Sequence, residues 1–189
     1  MAMKPGERRL QILQTLAAML ENPRGEKVTT AALAAKLSVS EAALYRHFAS
    51  KAQMFEGLIE FIETTLFSFV NKITAETTDG VAQAEQAVVM LRSFAEKNPG
   101  MTRVLIGEAL VNEDERLQAR INQLTDRLEA ALRQSLRIAQ AANGWHGDAQ
   151  ADAAVLIAYV LGRWQLFAKS GFKRTPQEGW ALQRKFLFG

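Results

Sequence analysis

The segment Thr29-Thr-Ala-Ala-Leu-Ala-Ala-Lys-Leu-Ser-Val-Ser-Glu-Ala-Ala-Leu-Tyr-Arg-His-Phe48 sets the architecture expected for everything around it. Thr29 and Ser40 carry short side-chain oxygens able to accept a hydrogen bond from a free amide of a first helical turn, so the spacing predicts helices over 30–37 and 41–47. The Ser38-Val39 turn joins them, with Leu33, Leu37, Val39 and Leu44 pointing inward and small Ala34 at the crossing. Two short capped helices around a tight turn make a helix-turn-helix, whose second helix enters the major groove of DNA while the first anchors on the backbone. Ser40, Glu41 and Ala42 are then expected at base edges, with Ala43 assisting. Thr29, Thr30, Tyr45, His47 and Lys51 are expected at phosphates through hydroxyl, ring N–H, ammonium or helix-start amides.

Outward from this motif the periodicity is helical nearly everywhere, and the expected fold class is all-α: a three-helix DNA-binding head over residues 1–50 and a helical dimerisation and partner-binding body over 51–189. Leu10, Leu13, Ala17 and Leu20 define an amphipathic helix over 7–21, preceded by Pro5-Gly6 and ended by Asn22-Pro23-Arg24-Gly25. Ser50 caps a long helix running to about 75, marked by Met54, Leu58, Phe61, Ile62, Leu66 and Phe69. A further helix spans 81–97 and stops at Asn98-Pro99-Gly100, because proline disfavours the α conformation in the residue before it. A short helix is expected over 101–110, and a last one over 176–188.

Two long segments point to pairing of chains. Leu117, Ile121, Leu124 and Leu128 alternate spacings of four and three within 113–142, as in a helix lying along a partner helix. From 148 to 170 the helix is apolar almost all round, with Ala151, Ala154, Ala158 and Gly162 on a small-residue face. Few helices remain to cover it, so both stripes are assigned to a homodimer interface.

Composition narrows the function classes. The 189 residues contain no cysteine, which removes disulfides, thiolate metal sites and cysteine nucleophiles. His47 and His146, the two histidines, lack a second His or carboxylate at i+3 or i+4 for a helical metal site. No nucleophile and base pairing or phosphate loop is patterned, so neither an enzyme nor a cofactor is expected. With no signal peptide and no apolar run of membrane-spanning length, the expectation is a soluble, cytoplasmic protein. The net charge of +3 is uneven: residues 1–55 carry eight basic and four acidic side chains, the remainder fifteen and sixteen. All of the excess positive charge lies around the helix-turn-helix, as a polyanion-binding head requires.

Leu44-Tyr-Arg-His-Phe-Ala-Ser-Lys51, followed by Met54-Phe55, resembles the end of the DNA-binding domain of TetR-like regulators. Val28-Thr-Thr-Ala-Ala-Leu-Ala-Ala, Leu58-Ile-Glu-Phe-Ile-Glu63, Asn98-Pro-Gly-Met-Thr-Arg103 and Arg116-Leu-Gln-Ala-Arg-Ile-Asn-Gln-Leu124 extend the similarity toward the nucleoid occlusion branch of that family. The resemblance implies a nucleoid-associated dimer on palindromic double-stranded DNA sites that, when bound, antagonises polymers of the division protein FtsZ. It also implies a groove for the FtsZ C-terminal tail, lined by Phe61, Thr65 and Phe69 on one helix and by Met90, Phe94, Lys97 and Asn98 on the next. Phe69 stands where the resemblance implies a basic residue. By spacing alone Phe61, Phe69, Met90 and Phe94 read as core. The alternative function is a ligand-responsive repressor, with Trp164 and Phe167 lining a cavity inside the bundle or, more simply, packing its core.

Overall fold

The computed structural model describes residues 6–22 and 28–189. Lys4, Pro5, Pro23, Arg24, Gly25, Glu26 and Lys27, used above for charge and helix boundaries, lie outside the described residues. The described residues form helices without strands: α1 (Glu7–Leu20), α2 (Thr30–Lys36), α3 (Glu41–Tyr45), α4 (Lys51–Glu76), α5 (Gly80–Lys97), α6 (Pro99–Leu105), α7 (Glu115–Ala141), α8 (Ala149–Lys169) and α9 (Trp180–Phe188).

The predicted caps form. Thr29 Oγ1 accepts from the Ala32 amide at 3.1 Å, Ser40 Oγ from Ala43 at 3.3 Å and Ser50 Oγ from Gln53 at 3.1 Å. Each such cap contributes about 1 kcal/mol to its helix. Leu33, Ala34, Leu44 and Phe48 are buried beneath α1 and α4, whereas Leu37 and Val39 are half-buried at the edge of the same core. The helix expected over 101–110 is two pieces, α6 and a 3-10 turn at Glu108–Leu110. Gly107, at φ +76°, makes the left-handed turn between them.

α6 joins head to body. A Cβ on Gly100 would stand 1.9 Å from the Ala17 carbonyl oxygen, so only glycine lets α6 lie this close to α1. Arg103 Nη1 then donates to the Leu20 and Asn22 carbonyls, both at 3.0 Å, satisfying the exposed end of α1. Its Nε donates to Glu108 at 2.8 Å.

α4 spans both halves, packing on α1 in the head and on α5 and α7 in the body. Its outer edge carries ion pairs to α7: Glu63 receives Arg120 at 3.4 Å and also Arg127, and Glu56 receives Arg116 at 3.8 Å. These are surface pairs, and the apolar stripe beneath them carries most of the stabilisation.

The stripe on α7 requires a correction. Leu117, Ile121, Leu124 and Leu128 are only 1–3% exposed, packed against neighbouring helices of the same chain, so they offer no surface to a second copy. The α8 stripe behaves differently: Ala151, Ala154, Ala158 and Gly162 are exposed, with Val155 between them at 56%. α8 also departs from the expectation that no segment reaches membrane-spanning length. By length and composition alone it could cross a bilayer, yet one face, including Leu156, Val160 and Trp164, is buried in the bundle.

α9 is held at its edges, since none of its residues is buried. Arg92 of α5, fully buried, donates to the Pro176 carbonyl through Nε at 2.8 Å and Nη2 at 2.5 Å, and its guanidinium lies 4.4 Å from the Trp180 ring centre. Burial lowers its pKa from the ordinary arginine value, opposed by the Tyr159 interaction.

Gly100→Ala is expected to lower stability by about 2–3 kcal/mol, from overpacking against backbone that cannot move aside cheaply. Urea denaturation checks it, and a wild-type midpoint would contradict the close approach.

Candidate functional site

Two surfaces collect the residues singled out from the sequence. On the head, Thr29, Ser40, Glu41, Ala42, Tyr45 and His47 are exposed along α2, α3 and the turn after α3, while Thr30 and Ala43 are half-buried. Not all of them are free. Thr30 Oγ1 donates to Glu41 Oε2 at 2.6 Å, so an α2 hydroxyl and an α3 carboxylate hold one another across the motif. The His47 carbonyl accepts from Arg9 Nη1 at 3.0 Å, and that guanidinium lies 4.1 Å from the Phe48 ring centre, fastening α1 to the end of the motif.

Lys51 is committed elsewhere. Its ammonium pairs with Glu113 in the turn before α7, the two side chains being 23% and 12% exposed. A phosphate would have to compete with that carboxylate. Arg46 and Lys36 are further exposed cations in the motif, to which the sequence pattern assigns no role. Their charge was the only available signal, since solvated cations on a helix surface carry the same sequence mark.

On the body, α4 and α5 run antiparallel from the short turn at 77–79, and Asp79 caps α5 by accepting from Val81 at 2.8 Å and Ala82 at 3.3 Å. Between the two helices lies a groove of about 390 Å³ that brings together all seven predicted residues: Phe61, Thr65, Phe69, Met90, Phe94, Lys97 and Asn98. Ser93, which the sequence reading missed, completes the wall. A small hydroxyl amid apolar positions gives no pattern of its own.

Phe61 and Phe69 are 37% and 44% exposed, whereas Phe94 is 7% exposed and serves both core and groove. Thr65 Oγ1 donates to the Phe61 carbonyl at 2.7 Å and Asn98 Nδ2 to the Phe94 carbonyl at 2.7 Å, so both polar side chains are partly used in shaping the walls. Lys97 is exposed and has no ion-pair partner among the described residues. The surface can therefore hold an apolar segment and attract one carrying an acidic residue.

Trp164 and Phe167 are core residues. Trp164 Nε1 donates to the Leu91 carbonyl at 3.1 Å, and Phe167 is buried beside the Phe172 ring at 5.1 Å. His146 is exposed in the turn between α7 and α8.

Residues 17–58 match the tetR family of bacterial regulatory proteins, and residues 78–189 match the tetracyclin repressor-like C-terminal domain of SlmA-like proteins. The nucleoid occlusion factor SlmA of Alteromonas mediterranea is 51% identical over 179 residues, covering 94% of this chain and 92% of its own. SlmA of a Marinomonas species is 49% identical over 186 residues, covering 97% and 94%. The crystal structure of superantigen PfiT shares the fold at a TM-score of 0.65 and 20% identity, over 98% of this chain and 96% of its own.

Replacing Glu113 with Gln removes the competitor for Lys51. The expected outcome is tighter binding to all duplexes alike, with a log K against log salt slope steeper by about one. Fluorescence anisotropy across a salt series measures it, and an unchanged slope would put Lys51 away from phosphate.

Proposed function

The chain belongs to the SlmA nucleoid occlusion factors of the TetR-like regulators, and from that premise we propose that it is a DNA-bound inhibitor of cell division. In this reading it sits as a homodimer on palindromic chromosomal sites and, when bound, antagonises FtsZ polymers so that no septum assembles over the nucleoid. It works by binding, with no bond made or broken, from the cytoplasmic nucleoid. The observation that carries the reading is the α4/α5 groove, where eight residues line one apolar trough whose end holds a lysine without an ion-pair partner among the described residues.

On the head, capped α2 and α3 aim the start of α3 at the major groove, with Ser40, Glu41 and Ala42 toward base edges. Thr29, Thr30, Tyr45, His47 and Lys51 serve the phosphates, Lys51 in exchange with Glu113. Two heads about 34 Å apart meet successive major grooves only if two chains pair. The exposed Ala151, Ala154, Ala158 and Gly162 face of α8 is the surface we assign to that pairing, since small side chains allow close helix approach. In the groove, Phe61, Phe69, Met90 and Phe94 take apolar side chains of the FtsZ C-terminal tail, with Thr65 and Asn98 shaping the walls and Lys97 meeting an acidic residue.

Thr29→Ala and Tyr45→Phe are expected to weaken binding to every duplex by similar factors, whereas Ser40→Ala and Ala42→Ser shift which sites are preferred. Binding measured on a panel of site variants separates the two classes, and equal losses in both would contradict the division of labour.

Co-sedimentation of FtsZ polymers is the test of the whole. Pelleted polymer is expected to fall when protein and a cognate duplex are both present, and to stay near its starting level with either alone. Lys97→Glu should bind DNA as the parent does and leave the polymer intact. Loss of polymer independent of DNA would overturn the proposal.

A further inference from the structure

The groove between α4 and α5 does not end at Phe69 and Met90. Beyond them opens a second basin of about 600 Å³, which shares Phe69, Met90 and Ser93 with the first. Ile73, Ala82 and Val89 supply its apolar lining. Its rim charges are already paired: Lys72 lies 3.9 Å from Glu76, and Glu85 accepts from Arg184 Nε at 2.5 Å. Among the described residues the lining charge without an ion-pair partner is thus the ammonium of Lys97 at the near end, while the charges at the rim of the apolar far basin are paired.

This charge distribution selects the occupant. A segment with an acidic residue at one end and apolar side chains along the rest complements the trench, and a charge at the far end gains no unpaired partner. Spacing adds a second constraint. Phe94 and Gln86 mark the two basins on α5, and eight residues at 1.5 Å each separate them by about 12 Å. An extended chain advances about 3.3 Å per residue and returns to the same face every second residue, so two side chains that reach both basins are about four residues apart.

We infer that the far basin is a second anchor for the partner tail. It takes a bulky aliphatic or aromatic side chain four residues along an extended segment from the one seated by Phe61 and Phe94, with an acidic residue at the Lys97 end. This rests on the reading of the α4/α5 groove as the FtsZ tail site, and it adds a register and a sequence pattern to that reading.

Gln86→Trp tests it, because Gln86 is exposed at the rim and makes only a 3.4 Å contact with Thr77 Oγ1, so the indole fills the basin without disturbing the core. The probe is a fluorescently labelled synthetic peptide of the FtsZ C-terminal tail, titrated with the full chain on its duplex. Gln86→Trp is expected to weaken peptide binding about tenfold, with duplex affinity and thermal midpoint unchanged. A peptide whose far apolar residue is replaced by Ala should bind wild type and Gln86→Trp equally weakly. If Gln86→Trp holds the intact peptide as tightly as wild type while Lys97→Glu abolishes binding, the far basin is not an anchor and the inference is overturned. If wild type fails to bind the peptide, or Lys97→Glu binds it normally, the tail-site reading itself is overturned.

Discussion

The contact between Gly100 and the Ala17 carbonyl fixes how the reading head sits on the body, and the remaining geometry depends on it. With no side chain in the way, α6 presses directly on α1, and Arg103 closes the end of α1 from the same helix. α6 begins at Pro99, one residue after Asn98 ends the near basin, and Thr102 Oγ1 ties back to the Ala95 and Asn98 carbonyls at 3.0 Å each. Head, joint and trench are therefore contiguous in space, although α1 and α6 are far apart in sequence. This joint sets where the groove stands relative to the helix-turn-helix head.

α4 provides the second continuity. Its buried face runs from Met54 beneath the head to Val70 in the body, and its exposed face supplies half of the trench. Burial of that apolar stripe is the dominant stabilising term, since each buried large side chain contributes about 1.5–3 kcal/mol whereas an exposed ion pair contributes about 0–1. The Glu56 and Glu63 pairs with α7 accordingly set rotation and register more than stability. Lys51 and Glu113 form a further ion pair at the head end of α4.

Much of this was legible in the sequence because it is local. The caps at Thr29, Ser40 and Ser50, the break at Pro99 and the helical periods are decided within a few residues of themselves, and they locate the helix-turn-helix. The α7 stripe shows the limit of periodicity: Leu117 to Leu128 do face a packed surface, but spacing does not say whether that surface belongs to the same chain. The near basin was reachable only through family resemblance, since Phe61 and Phe94 alone read as core. Long-range pairings such as Lys51 with Glu113 and Arg92 with Pro176 carry no local mark. The far basin was hidden for the same reason, its lining being divided between two helices and interleaved with charged residues.

Arg92 connects the two extremities of the body. Its backbone belongs to the helix that carries Met90 and Phe94, while its guanidinium grips the carbonyl of Pro176 and the face of Trp180. Clipping the chain before Pro176 would strand a cation in a dry interior, and the helix bearing it would have to twist or take in water to relieve the loss. The carboxyl-terminal residues, though none of their side chains is buried in α9, thus act as a keystone for the wall on the opposite side of that helix.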